Sequence, residues 1–268
     1  MNSYVTLVAN PDYVPGLYAL ARSLVMCKSQ WPLTILTLPG VVDDLPDLSA
    51  YNCQVLAVEP LPFSADFRAR HSRKNQHAEA PFTKGAKPDF HDPLLNFVKL
   101  RLWELDQYEK IVFLDADTLV IQNVDRLFDF PEFVAAPNLY ESLADFHRMN
   151  SGVFVAQPNS CTFEEMLDRL DRPDAFWPRT DQTFLQTFFP DWDGLPYIYN
   201  TLQYVWFNLP QLWNWERIKV IHYQYEKPWE SPHPKRAQLA PLIDLWQHVY
   251  TDGQLPSGLP SPTADFTP

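Results

Sequence analysis

Two apolar periods alternate along this chain. Tyr4 to Ala9 is a short apolar run that predicts a buried strand. The turn residues Asn10, Pro11 and Asp12 follow. Leu17, Leu20, Ala21, Leu24 and Val25 then recur at i, i+3, i+4, i+7 and i+8, the stripe of one buried helix face. Leu33 to Leu38 and Gln54 to Val58 predict two further strands, and Asn96 to Leu105 a helix leading into a strand that ends at Leu114. Strands are expected at Phe133 to Ala136 and Gly152 to Ala156, and helices at Thr162 to Leu170 and Asp181 to Phe189. Strand, helix, strand in this order predicts an α/β, Rossmann-like doubly wound sheet, whose ligands bind beyond the carboxyl ends of the strands.

From Pro60 to Pro93 the periodicity stops. Arg68, Arg70, Arg73, Lys74, Lys84 and Lys87 outnumber Asp66, Glu79, Asp89 and Asp92 there, although the whole chain carries a net charge of -12. The stretch reads as a long basic surface loop, either a passive insertion or a lid over an anionic ligand. Residues 1–252 fit one domain, and the Pro-, Ser- and Thr-rich 253–268 predict a disordered tail. An apolar content of 46% argues against general disorder, and the acidic balance against nucleic acid as a partner. No window reaches the roughly eighteen apolar residues of a membrane span. Cys27, Cys53 and Cys161 are odd in number and widely spaced, so free buried thiols are expected. With no basic, apolar leader ahead of Tyr4, a cytoplasmic location is expected.

The densest chemistry lies in KIVFLDADTLVIQNVDRLF, Lys110 to Phe128. The apolar strand delivers Asp115 and Asp117 to its end, and a spacing of two keeps both acids on one face of extended backbone. Adjacent carboxylates repel, so they either hold a divalent cation or are solvated acids closing a strand. Val220 and Ile221 bring His222 to another strand end, as a third ligand or as a hydrogen-bonded structural residue. Two carboxylates and an imidazole suit manganese or magnesium better than zinc, and the nitrogen ligand favours manganese. Lys227, five residues on, could neutralise a phosphate held by the same metal. The late tryptophans supply core bulk; Trp206, Trp213 and Trp215 are also candidates for the wall of an acceptor site.

Six segments resemble glycosyltransferase family 8, the family of glycogenin and galactinol synthase. They are TLVANPDYVPGLYALARSL from Thr6, NFVKLRLWELDQYEKIVFLDADTLVIQNVDRLFD from Asn96, NSGVFVAQP from Asn150, DQTFLQTFF from Asp181, LPYIYN from Leu195 and IHYQYEKPW from Ile221. The resemblance implies a GT-A fold and a retaining, metal-dependent enzyme. It would move a hexosyl group from a UDP-sugar to a sugar, polyol or glycan, forming an α-glycosidic bond. It implies manganese, with magnesium as substitute, held by Asp115, Asp117 and His222. Leu7, Asn10 and Tyr13 match the uridine segment, and Lys99 a helix lysine that contacts the donor. Asp115, Ala116 and Asp117 border the donor, Asn150 and Ser151 flank its sugar, and Lys227 grips the diphosphate. Asp181 and Gln182 match the pair near the reacting face.

A homodimer is compatible with this reading; a nucleic-acid partner is not. Two departures stand out. Tyr223, Gln224, Tyr225 and Glu226 replace a longer, glycine-containing spacing before Lys-Pro-Trp, which would put Glu226 beside the phosphates. Tyr204 is out of register for self-glucosylation. FLDADTL also fits the nucleophile motif of a haloacid-dehalogenase-like phosphatase, with Asp115 phosphorylated, and a non-catalytic sugar-nucleotide-binding protein is the other alternative.

Overall fold

A computed structural model describes residues 1–79 and 85–262. Its centre is a seven-stranded mixed sheet of β1 (Asn2–Val8), β2 (Leu33–Thr37), β3 (Cys53–Ala57), β4 (Lys110–Leu114), β6 (Val134–Pro137), β7 (Met149–Ala156) and β8 (Asp193–Gly194), in the order β3-β2-β1-β4-β7-β6-β8. Strands β1 to β4 run parallel, and β7 runs antiparallel to β4 and β6. A smaller sheet pairs β5 (Thr118–Val120), β10 (Val220–His222) and β9 (Thr201–Leu202). The winding reverses between β1 and β4, the switch point where doubly wound sheets open a crevice.

Alternation sorts the central strands into two cores. Tyr4 and Val8 of β1, and Val112 and Leu114 of β4, face one side; Val5, Ile111 and Phe113 face the other. Helix α1 (Val14–Met26) covers the first side with Leu17, Leu20, Ala21 and Leu24. Leu100 and Leu102 of the Pro93–Glu104 segment, with α4 (Ser160–Leu170) and α5 (Asp181–Phe188), cover the second. Both faces are buried, which explains the unbroken apolar runs of β1 and β4. The third core joins the small sheet to α6 (Val205–Asn208) and α7 (Arg236–Asp252).

The basic stretch departs from the expected loop. It carries α2 (Ala65–Arg70), capped by Ser64 Oγ accepting from Phe67 N–H, and α3 (Arg73–Glu79). These helices of six and seven residues are too short for the apolar stripe that would reveal them. Lys84 lies outside the described residues. The helix expected from Asn96 is a 3-10 helix over Pro93–Glu104, with Asp92 accepting from Leu94 N–H at its start. With three residues per turn, Asn96 and Lys99 fall on one line facing the crevice.

In the expected tail, Leu255 and Leu259 pack on the third core and Pro260 C=O accepts from the Trp215 indole; 263–268 lie outside the described residues. The three cysteines are free, but none is fully buried: Cys27 and Cys53 are half-buried and Cys161 is exposed. Among the described residues, no helix is long and apolar enough to cross a membrane.

Candidate active site

The crevice beyond β1 and β4 is a cavity lined by the expected donor, metal and catalytic residues: Leu7, Asn10, Tyr13, Lys99, Asp115, Ala116, Asp117, Asn150, Ser151, Asp181, Gln182, His222 and Lys227. Each wall follows from local chemistry. At the end of β4, Asp115 C=O accepts from Thr118 N–H (3.0 Å) and Thr118 Oγ1 (2.7 Å), a turn that projects both acids into the crevice. Strand β10 pairs with β5 so that His222 stands opposite Thr118, next to the acids.

One ligand atom each from Asp115, Asp117 and His222 lies within 4.8 Å of the others. His222 Nε2 is 3.2 Å from Asp117 Oδ1 and 3.9 Å from Asp115 Oδ2. His222 Nδ1 donates to Asn200 Oδ1 at 2.9 Å, which leaves the Nε2 lone pair pointing at the carboxylates. Asn200 in turn donates to Asn150 Oδ1 at 2.8 Å. Asn150 Oδ1 also accepts from Gly152 N–H (2.8 Å), and its Nδ2 donates to Asn138 (2.9 Å) and Gln224 (3.3 Å). All four hydrogen-bonding positions of the Asn150 amide are thereby engaged within the protein. A Cβ on Gly152 would fall 2.6 Å from His222 Nδ1, so only glycine lets the imidazole approach this closely. Gly16 plays a similar part: a Cβ there would stand 2.5 Å from Ala116 C=O, the residue between the two acids.

Burial lifts the Asp115 carboxyl above its usual range against the pull of Lys99, and Asp117 adds to the lift. Burial would raise Asp117 too, but Lys227 overrides it and holds that carboxyl well below its usual range. Lys227 Nζ is paired with Asp117 Oδ2. Lys99 Nζ bridges Asp115 Oδ1 (3.0 Å) and Asp181 Oδ2 (2.9 Å). Burial lowers its pKa, yet these two acids together hold it above the ordinary lysine range. Two close carboxylates, one of them strained towards protonation, and an imidazole with a free lone pair form a donor set that fits a hard divalent cation. Asp181 is engaged on both oxygens, accepting from Thr180 Oγ1 at 2.8 Å on Oδ1. Thr180 sits at φ +50, a conformation that β-branched residues seldom adopt, directly ahead of α5.

Two expectations need correction. Trp206, Trp213 and Trp215 do not line the cavity; they pack edge to face in the third core, with centroids 5.1 Å (Trp206–Trp213) and 5.2 Å (Trp213–Trp215) apart. Glu226 is buried and does not line the cavity, accepting from Ala86 N–H (3.0 Å) and Tyr204 OH (2.7 Å). Tyr225 stands at φ +68, the left-handed conformation that a glycine in this segment would adopt freely, at a cost of about 1–2 kcal/mol.

Gln76, Phe90, His91, Tyr140 and Arg179 of the wall carry no signal in the sequence, whereas Lys87 belongs to the basic stretch and Gln224 to the IHYQYEKPW segment. Asn200, the orienter of His222, is the last residue of the LPYIYN segment.

The sequence model of glycosyl transferase family 8 matches residues 4–232. Galactinol synthase 4 of Arabidopsis thaliana is 30% identical over 94% of this chain and 82% of its own length. Galactinol synthase 1 of Solanum lycopersicum is 29% identical over 94% and 83%. Among solved structures, the apo-form glycosyltransferase GlyE of Streptococcus pneumoniae TIGR4 superposes with a TM-score of 0.64 at 14% identity, over 94% of this chain and 60% of that longer one. The galactosyltransferase LgtC, solved with donor and acceptor sugar analogs, gives 0.57 at 15% identity, over 97% and 98%. These likenesses establish the GT-A fold, in which a phosphatase nucleophile strand has no counterpart: β4 is the fourth strand, not the first. The chain belongs to glycosyltransferase family 8 and is a retaining, nucleotide-sugar-dependent glycosyltransferase.

Proposed function

We propose that this enzyme uses manganese at Asp115, Asp117 and His222 to transfer a hexosyl group from a UDP-sugar to a hydroxyl of a sugar, polyol or glycan. The observation carrying this reading is the Asp-Asp-His cluster lying in one cavity with the uridine-side residues Leu7, Asn10 and Tyr13. A bound divalent cation supplies Lewis-acid stabilisation to the departing diphosphate. Lys227 adds a charge on the same side, where negative charge grows as the anomeric bond breaks. Asn150 fixes the tautomer of His222 through Asn200 rather than spending its amide on a ligand.

Asp181 is held by Lys99 and Thr180, which favours an orienting role near the sugar over attack on it. Same-face attack by the acceptor through an oxocarbenium-like state follows, giving retention without a covalent intermediate. The likeness to proteins named galactinol synthase and galactosyltransferase makes UDP-galactose the first donor to try and polyols the first acceptors. A cytoplasmic setting accords with three free cysteines.

The test is UDP release from a panel of UDP-sugars, with and without manganese, first in water and then with polyol and sugar acceptors. Manganese-dependent release that rises with an acceptor is expected. Release indifferent to manganese would overturn the metal assignment, and the lack of any acceptor effect would overturn the transferase assignment.

A further inference from the structure

The cavity has a second wall that the reading above does not use. Residues 85–92 cross it as a strap tied down at many points. Ala86 N–H donates to buried Glu226 at 3.0 Å. The Arg73 guanidinium donates to Pro88 C=O (2.8 Å), His91 C=O (2.6 Å) and Lys87 C=O (3.1 Å). Asn10 Nδ2 donates to Phe90 C=O at 2.9 Å, and Tyr13 OH meets His91 Nδ1 at 3.3 Å. The strap thus delivers the half-buried Lys87 to the cavity, its Nζ 5.4 Å from the centre of the Tyr225 ring. Tyr225 stands two residues before Lys227 in the same wall, which puts Lys87 on the Lys227 side of the cluster. Burial, with Lys227 next, brings the Lys87 ammonium down to about 8, as expected of a cation held near another cation.

The charge inventory gives this placement a purpose. Asp115, Asp117 and Asp181 face Lys99 and Lys227, which leaves one negative charge in the cluster. A divalent cation turns that into one positive charge, still one short of the two negative charges on the bridging phosphates of a nucleoside diphosphate sugar. Lys87, itself engaged by a neighbour, brings a further positive charge to the same wall. The two other charged residues of the wall cancel: Asp92 accepts from Leu94 N–H, and Arg179 stands beside Tyr140.

We infer that Lys87 is a second diphosphate-binding residue, presented by a strap that Glu226 and Arg73 hold in place. This rests on the reading of the cavity as a site for a nucleotide sugar. It also explains the acid that looked misplaced ahead of Lys227: Glu226 acts on the strap and not on the phosphates.

The experiment is calorimetric binding of UDP, uridine and pyrophosphate to the full chain in manganese, comparing wild type with Lys87→Met and Lys87→Arg. Lys87→Met should weaken UDP and pyrophosphate about tenfold, the scale of one charge-assisted hydrogen bond, and leave uridine within about twofold. Lys87→Arg should restore most of the loss. Unchanged UDP affinity in Lys87→Met overturns the inference. Equal weakening of UDP and uridine also overturns it, because Lys87 would then be holding the strap. If wild type binds pyrophosphate in a Lys87-dependent way but no uridine, the nucleotide reading fails and the anion site stands.

Discussion

The two walls of the cavity are ordered by different physics. The floor, at the ends of β1, β4 and β10, is set by burial: once Ile111 to Leu114 are enclosed between two cores, Asp115 and Asp117 have one place to go. The strap, 85–92, is set by polar side chains reaching backbone atoms, chiefly Arg73 and Glu226. Hydrophobic burial is roughly additive along an element and tolerates the loss of any one residue. A segment held by a few hydrogen bonds depends on each of them. Substitutions should therefore act differently on the two walls.

The largest effect is expected on the floor. Asp117→Asn removes a ligand and the partner of Lys227 together, and turnover should drop by about a thousandfold or more. Manganese affinity should fall with it, and melting should drop as well because buried Lys227 loses its partner; near-normal turnover would remove Asp117 from the metal site. Gly152→Ala tests the packing behind that site. Its Cβ would press on His222 Nδ1 and on Asn150 Oδ1, 2.8 Å away. A loss of about 1–3 kcal/mol of stability is expected, with manganese affinity down about ten- to a hundredfold. Calorimetric melting and metal titration measure the two separately.

The strap should respond in donor affinity first. Arg73→Gln frees three carbonyls and should raise KM for the UDP-sugar about tenfold with kcat changed less, since one charge-assisted network is worth about 1.5–3 kcal/mol. An unchanged KM would show that the strap holds without Arg73.

Acid should also find this side of the molecule first. His71 is buried and neutral, with Nε2 accepting from Trp177 N–H at 2.9 Å and Nδ1 directed at Phe67 C=O. Burial keeps its pKa below the usual value. For His91, burial, then Lys87, Lys227 and Arg73, hold it well below. In the unfolded chain both titrate near about 6.5. Below that pH the unfolded state takes up protons that the folded state refuses, so stability is full above about 6.5 and falls as pH drops towards 5. Melting temperatures at pH 7.5 and 5.5 should differ, and His71→Asn should shrink the difference. The smallest effect is expected from Tyr204→Phe, which removes one of the two bonds to Glu226 and costs about 1 kcal/mol, read from denaturant midpoints.

The same contrast decides what the sequence discloses. Asp115, Asp117 and His222 are legible because apolar runs point at them, and Asn10, Lys99 and Asp181 because they sit in segments shared with a family. Nothing in composition separates a 3-10 helix from an α-helix over Pro93–Glu104, although that choice aligns Asn96 with Lys99. The basic run marks Arg73 and Lys87, and the altered spacing marks Glu226, but the backbone partners of Arg73 and Glu226 follow from no local pattern. The tryptophans mislead for the opposite reason: Trp206, Trp213 and Trp215 have the bulk of a sugar platform, and they spend it on one another.

Lys99 carries one charge and answers to two acids, Asp115 of the proposed metal cluster and Asp181 of the proposed sugar side. A cation arriving at Asp115 weakens that acid's hold on the ammonium, which then leans towards Asp181. Binding free energies around such a cycle are reciprocal. Whatever factor the sugar moiety contributes to metal affinity, the metal must return to the sugar. Apparent metal affinities measured with UDP and with the intact UDP-sugar should therefore differ, and the ratio reports how tightly the two halves of the donor site are thermodynamically tied.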